Sequence, residues 1–472
     1  MRILPPPLEI GDEEGFSPRK DIFKRKKFGD GLTNLVQNVE DPLVVLLDSP
    51  WGSGKTTFLK MWAGELRKAG HPVIYFDAFA HDHIGNAFLA IAGEVIGLAQ
   101  KRRIDQRPKA IQFLNTAAKT GGVIIRGLAK AGVKAATLGA LDAADLKEAV
   151  SGVADDLAGV ASDGVDEYVK GLLERQSKEN QTLEEFRKAL GELAAELAKP
   201  AAGESPEEGE EVPALKAQDR PLIFILDELD RCKPTFALDL LETIKHLFSV
   251  PNVHFVLSAN HAQLRASVQF SYGTGVDATL YLQKFYNFSV SLPDLDGEWG
   301  HSIAEKYLKY LIPHLVGGGS GNTRVETVID VIKNIAIARD MSLRSLERAS
   351  TIATFSLAMT NSSNIIIYII AGLSVMKGFD PEIYDKAKDG SLSWGDVNSV
   401  FRFDRWPKRA EALAHECEHC WKFALGEHMP DSELQVWQSR NQSIRSNSNL
   451  ENPRQWIPVM ARSVVDRLQT ET

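Results

Sequence analysis

The sequence predicts an α/β fold: a parallel-sheet core with a large helical insertion and a helical C-terminal region. Three observations lead there. Short apolar runs rich in β-branched residues at 43–47, 73–76, 221–226 and 253–257 suit strands buried on both faces, as in parallel sheets. Segments with helical spacing separate them, at 56–68, 84–200 and 237–248. A glycine-containing stretch, Ser49-Pro-Trp-Gly-Ser-Gly54-Lys55-Thr56, lies between the first run and the first of those helices, which makes a strand–loop–helix–strand unit.

Composition bounds the alternatives. The chain has 472 residues, 44% hydrophobic and 25% charged, the proportions of an ordinary globular protein and not of a collagen-like or disordered one. At roughly 150 residues per domain, this length suggests about three domains or one large domain with appendages. Acidic residues (63) exceed basic ones (54), so the formal charge is −9, and a chain coating nucleic acid along its whole length would lean the other way. Three cysteines cannot build a disulfide framework and fit a reducing, cytoplasmic setting. The N-terminus shows no apolar run of signal-peptide length, and the longest such stretch, 365–376, is shorter than the roughly 20 residues of a spanning helix. A soluble chain without a transmembrane segment is expected.

In order, residues 1–18 are rich in Pro, Gly and acid and read as a flexible arm. The stretch 19–27 then carries Arg19, Lys20, Lys24, Arg25, Lys26 and Lys27, either a solvated helix face or a local site for a phosphate-rich partner such as nucleic acid. Leu32, Leu35, Val36 and Val39 have helical spacing. Residues 19–83 form the first part of the core. Residues 84–200 read as a helical insertion in which Arg126, Lys130 and Lys134 line one face, solvated or turned to a membrane surface or acidic partner. Between Gly203 and Pro213 lie five glutamates and two prolines, so 201–219 reads as an acidic flexible loop. The core resumes over 220–297, with a further strand at 290–292. A helical lid or sensor region follows over 298–380, interrupted by a glycine-rich loop at 317–321, and then a helical C-terminal region over 381–472.

The stretch at 49–56 matches G-x-x-x-x-G-K-[ST] except for Ser49, and its strand–helix context supports the match. Gly52 and Gly54 let backbone N–H groups of Trp51, Gly52, Ser53 and Gly54 turn toward phosphates, and the helix N-terminus adds its positive end. Lys55 brings a point charge to the β- and γ-phosphates, the Thr56 hydroxyl is a ligand for Mg2+, and Thr57 supports the helix start. The acid that such a loop needs stands at the end of another strand: Asp227 for the metal shell, and Glu228 to polarise attacking water. Asp230 and Arg231 continue the turn, as a surface ion pair, a nucleotide sensor or a subunit contact.

These residues resemble the KAP family of P-loop NTPases, whose members read W-G-x-G-K-[ST], then an F-N-A-W-like strand, then D-[DE]-apolar-D-R-C. Here the corresponding residues are Trp51-Gly-Ser-Gly-Lys-Thr-Thr-Phe58, Tyr75-Phe-Asp-Ala-Phe79 and Leu226-Asp-Glu-Leu-Asp-Arg-Cys232. The resemblance covers roughly residues 20–350. It implies an ASCE-type core with a catalytic glutamate, ATP as nucleotide, and, for a soluble bacterial-type chain, work beside a separate effector protein in phage exclusion or defence. Assembly with copies of itself is expected with it. Three departures stand out: Ser49 for glycine, Asp77-Ala78-Phe79 for Asn-Ala-Trp, and an Ala/Gly-rich segment where many relatives carry membrane helices.

Asn260, with Ser258 second, stands at the tip of the 253–257 strand, where it would sense the γ-phosphate or cap the next helix. Arg344 opens a later helix and resembles the arginine that stabilises transition-state charge in related ATPases, and Lys284 is a weaker candidate of the same kind. His415, His419, Cys420 and His428 invite a zinc reading, although Cys417 points elsewhere on a helix. His81 and His83 read as loop histidines or a ligand pair. The expected function is a Mg2+-dependent ATPase coupling turnover to conformational change or assembly. The alternatives are a nucleotide-gated scaffold with negligible turnover, a nucleic-acid-dependent ATPase, and a small-molecule kinase. Five tryptophans beyond residue 380 suit a compact core or a partner face.

Overall fold

The computed structural model describes residues 8–130, 165–199, 220–247, 249–293, 303–316, 323–359, 364–440 and 453–466. Five strands, β1 (Leu43–Asp48), β2 (Val73–Asp77), β3 (Leu222–Asp227), β4 (Val253–Ala259) and β5 (Phe288–Val290), make one sheet in the order β2–β3–β4–β1–β5. Every neighbouring pair is parallel. All residues of β3 and β4 are buried, which is why β3 reads as a continuous apolar run and β4 as one broken only by His254 over 253–257. β4 lies between the strand that feeds the glycine loop and the strand that ends in Asp227, so both loops open at one edge of the sheet. This is the expected α/β, ASCE-type core.

Alternation along each strand supplies two apolar faces. Leu43, Val45, Leu47, Ile223, Ile225 and Val256 meet α1 (Lys26–Asn38) and α2 (Lys55–Lys68) through Leu32, Val36, Phe58, Leu59 and Trp62. The indole N–H of Trp62 donates to Thr33 Oγ1 at 3.0 Å and ties the two helices together. The opposite face carries Leu46, Ile74, Phe76, Phe224, Leu226 and Phe255, with the rings of Phe224 and Phe255 stacked 4.5 Å apart.

Helices α3 (Ala87–Lys101), α4 (Pro108–Lys130) and α5 (Val165–Leu197) belong to the stretch expected to be an insertion, yet they help cover that second face. Phe88, Ile91 and Val95 of α3, Phe113 of α4 and Phe186, Leu190 and Leu193 of α5 share one apolar cluster with the strands. Phe186 meets Phe88 and Phe113 at 5.1 and 5.5 Å. Each such fully buried side chain contributes about 1.5–3 kcal/mol. The described helices of 84–200 are therefore a layer of the core and not a detachable module. α6 (Pro234–Leu247), α7 (His261–Tyr272) and α8 (Ala278–Leu282) complete this layer.

The C-terminal part holds α9 (Ile303–Val316), α10 (Thr323–Ala338), α11 (Leu343–Ala358), α12 (Asn364–Phe379), α13 (Pro381–Asp389), α14 (Trp394–Phe401), α15 (Glu411–Leu425), α16 (Asp431–Arg440) and α17 (Trp456–Met460). One apolar cluster runs from Ala304 to Val465, so the expected division between 298–380 and 381–472 is corrected: a single helical domain spans both. Its centre is α12, apolar all round because neighbours enclose it. Trp406, Trp421 and Trp456 lie in this core, which favours the compact-core reading for them. Among the described residues no helix is long and apolar enough to cross a membrane.

The flexible-arm reading is corrected for residues 8–18. Phe16 N–H donates to Glu65 Oε2 at 3.2 Å, Arg67 Nη1 to the Asp12 carbonyl at 2.7 Å, and the Phe16 ring meets Phe58 at 5.7 Å, so this stretch lies along α2. The acidic loop 201–219, Lys134 and the glycine-rich loop at 317–321 fall outside the described residues.

Candidate nucleotide site

The loop between β1 and α2 takes the shape that its glycines allow. Gly52 and Gly54 have φ of 75° and 87°, the left-handed region where a Cβ is strained. Each is also crowded: a Cβ on Gly52 would stand 3.0 Å from Ser342 Cβ and 3.2 Å from Arg344 Cβ, and one on Gly54 3.2 Å from Arg25 Nη1. Ser49, in place of the first glycine, shows no such φ. Its buried hydroxyl accepts from Leu292 N–H at 3.1 Å and fastens the start of the loop to the segment after β5.

Lys55 donates to the Ser49 carbonyl and, at 3.2 Å, to that of Pro50. Burial pulls its ammonium below the usual lysine range, while Asp230, Asp227 and Asp48 hold it up. Trp51 is partly exposed, and its indole N–H donates to Asp230 Oδ2. Thr56 and Thr57 line the same cavity of about 320 Å³ as Lys55, Asp227 and Glu228. The first turn of α2 offers N–H groups without intrahelical acceptors at this mouth.

Asp227 ends β3 fully buried, and its Oδ2 accepts from the Tyr75 hydroxyl at 2.7 Å. Beside this carboxylate, and through burial first of all, the phenol of Tyr75 is pushed far above its usual range. Glu228 follows with φ of 58°, a left-handed non-glycine residue whose carboxylate meets Arg231 Nη1 at 2.7 Å. Burial raises the Glu228 carboxyl above the usual range, Arg231 opposes this, and Asp227 and Asp77 add to it. Asp77, where relatives carry asparagine, sits opposite Asp227 in the sheet and caps the turn Ala78–His81 by accepting from Ala80 N–H at 2.9 Å.

Two elements close on the loop from outside the strands. Leu343 N–H donates to the Gly52 carbonyl at 3.0 Å, so α11 begins on the loop itself and Arg344 lines the cavity from the same chain. Arg25 is buried, and its Nη1 donates to the Ser53 carbonyl at 2.9 Å while its guanidinium lies 4.8 Å over the Phe23 ring. The basic stretch 19–27 is thus not one patch. Arg25 turns inward, Lys20 reaches Glu14 at 2.5 Å and Lys26 reaches Asp30 at 2.7 Å. Asp21 explains the turn, since its carboxylate accepts from the N–H groups of Arg25 and Lys26 and starts α1 there.

The family P-loop domain described as "KAP family P-loop domain" matches residues 25–358, from Arg25 to the last residue of α11. The chain belongs to the KAP family of P-loop NTPases. Among curated proteins none matches this KAP chain. Among solved structures the Aeropyrum pernix ORC2 protein, in ADPNP–ADP complexes, is 12% identical with a TM-score of 0.34, over 98% of this chain and 97% of that one.

The structure brings Trp51, Gly52, Ser53, Gly54, Lys55, Thr56, Thr57, Asp227, Glu228 and Arg344 to one cavity of the KAP core. Asn260 lies apart from the carboxylates. It lines a second groove on the far side of the loop, shared with Ser49, Trp51 and Gly52, and caps α7 by accepting from Ala262 N–H at 3.0 Å. Lys284 is not at the site at all: with Val44 and Asn287 it lines a cleft elsewhere, its ammonium 5.2 Å over the Tyr281 ring. Cys417 and Cys420 are buried in the helical domain, His419 faces Glu433 at 3.5 Å, and among the described residues no group of three side chains is placed to hold a metal ion. His81 and His83 are bound to the carbonyls of Asp77 and Ala80. Sequence reasoning missed Tyr75 and the cap at Asp21, and read Arg25 only as one cation of the basic stretch 19–27. Asp21 carried a readable cap signal five residues before Lys26, whereas Tyr75 carried none.

Proposed function

We propose that this KAP protein is a Mg2+-dependent ATPase whose binding and turnover of ATP reset the contact between its core and its helical domain, and through it an assembly or a partner. The observation that carries this reading is the seating of α11 on the phosphate loop, because whatever moves Gly52 moves Leu343 and Arg344. Lys55 exchanges the carbonyls of Ser49 and Pro50 for phosphate oxygens. The Thr56 hydroxyl and the Asp227 carboxylate are the donor set for Mg2+, which when bound neutralises phosphate charge. Glu228, freed from Arg231, accepts the proton of the attacking water, and its raised pKa makes it the stronger base. Arg344 stabilises charge developing on the transferred phosphoryl, a contribution on the order of 10³ in rate. Homo-oligomerisation, a separate effector, a cytoplasmic setting and a part in anti-phage defence extend the same reading from the family resemblance. The three cysteines are all buried thiols, which agrees with a reducing compartment.

The nucleotide-gated scaffold has one observation in its favour: Glu228 and Lys55 are both held by the protein itself, in an ion pair and on loop carbonyls. Turnover by the purified protein separates the two. Steady ATP hydrolysis that falls at least 100-fold in Glu228→Gln, with binding kept, and binding that is lost in Lys55→Ala are the expected results. ATP binding without hydrolysis would leave the scaffold standing and overturn the ATPase.

A further inference from the structure

The cavity that holds the phosphate loop does not end there. Besides Lys55, the carboxylates and other charged groups such as Lys20 and Glu347, its lining includes Ile22, Phe23, Met61, Tyr307, Tyr310 and Leu343, side chains for which a triphosphate has no use. We infer that this apolar end binds the nucleoside, with Tyr307 as the ring on which a purine base stacks. The inference rests on the nucleotide reading above and adds the subsite and the residue that select for a base.

Three features favour a flat aromatic ligand. The Tyr307 ring is roughly parallel to Phe23, at 6.5 Å and 29°, and to Tyr310, at 6.2 Å and 30°, so this wall presents aromatic surface in one general orientation. The wall is pre-set on both sides. Tyr307 is pinned by its hydroxyl, which donates to Glu347 Oε2 at 2.7 Å, and the segment carrying Phe23 is pinned by Arg25 on the Ser53 carbonyl and by Asp21 at the start of α1. Tyr307 is only partly buried and lines the cavity, while Phe23, which lines it too, is almost fully covered. A rigid aromatic face in a pocket next to a phosphate cradle gains stacking energy from a base at little entropic cost.

The location gives the subsite a second role. Ile22, Phe23 and Met61 belong to the core, whereas Tyr307, Leu343 and Glu347 belong to α9 and α11 of the helical domain. A base in this pocket touches both, and keeps touching both after the γ-phosphate has gone. The nucleoside therefore holds the domains together throughout the cycle, and the γ-phosphate alone distinguishes its stages.

Calorimetric titration of wild type, Tyr307→Leu and Tyr307→Phe with ATP and with inorganic tripolyphosphate, both with Mg2+, tests the assignment. Tyr307→Leu keeps apolar bulk and removes the π face. It is expected to weaken ATP binding about tenfold, the ratio that 1.4 kcal/mol of stacking represents, and to leave tripolyphosphate binding unchanged. Tyr307→Phe is expected to bind ATP within about twofold of wild type. Unchanged ATP binding in Tyr307→Leu, or equal losses for both ligands in it, would overturn the subsite. Wild type that binds tripolyphosphate as tightly as ATP would overturn it too, while wild type that binds neither removes the nucleotide reading and this inference with it.

Discussion

Gly52 shows how much one position can fix. Its φ of 75° costs an L-residue about 1–2 kcal/mol, and the Cβ would also press on Ser342 and Arg344. Gly52→Ala is expected to lose more ATP affinity than strain alone explains, about tenfold or more, because the loop and the start of α11 must both shift; isothermal titration reads this directly. At the same scale the site was partly legible. Lys55, Thr56, Asp227 and Glu228 announce themselves because their chemistry is written in adjacent residues. Arg25 and Tyr75 do not, since their partners Ser53 and Asp227 lie 28 and 152 residues away and no local pattern links them.

Among elements, α11 is the one on which most converges. Its start was readable: Ser342 caps it by accepting from Ser345 N–H at 3.2 Å, in a β-region conformation that suits an N-cap. Ser342→Ala is expected to cost about 1 kcal/mol in urea unfolding, with Ser342→Asp recovering part of it. The seating of that helix on Gly52 was not readable, because an amphipathic pattern shows which face is buried and not against what. The same limit explains the insertion. The alanine-rich stretch 84–200 was recognised as helical, but its apolar faces could equally have met one another, and only the fold shows α3 and α5 on the sheet. Likewise Ile367, Ile370 and Leu373 on one side of the break expected near 380 share a core with Tyr384 and Val397 on the other.

For the whole molecule, acid stability follows from two histidines. His71 and His254 are fully buried, and burial holds each at a pKa of about 4 against 6.5 unperturbed. For His71 the charges of Arg220 and Arg102 add to the effect. Each binds a proton less readily folded than unfolded, so stability is complete above about pH 6.5 and declines as pH falls toward 4, by on the order of 3 kcal/mol per histidine. Melting temperature is expected to drop over that window, and to drop less in His254→Gln once its lower starting stability is subtracted. A flat profile in wild type between pH 6.5 and 4 would contradict this. The overall class, a parallel sheet between helical layers with a helical domain after it, was legible throughout, because strand length and β-branched content speak for themselves.

The strand order also sets a timetable for synthesis. β1 has no sheet partner until β4 and β5 are made, and β2 none until β3, more than 140 residues after it. At ~5–20 residues per second, the apolar run of β2 waits roughly 7–30 s on the ribosome with its edges open, and β1 waits longer. High contact order of this kind folds slowly and leaves sticky strands in view. The helices that intervene between β2 and β3 emerge during that interval, and α3 can cover the apolar side of β2 before any neighbour arrives. What became a layer of the finished fold is thus also placed to shelter the nascent sheet.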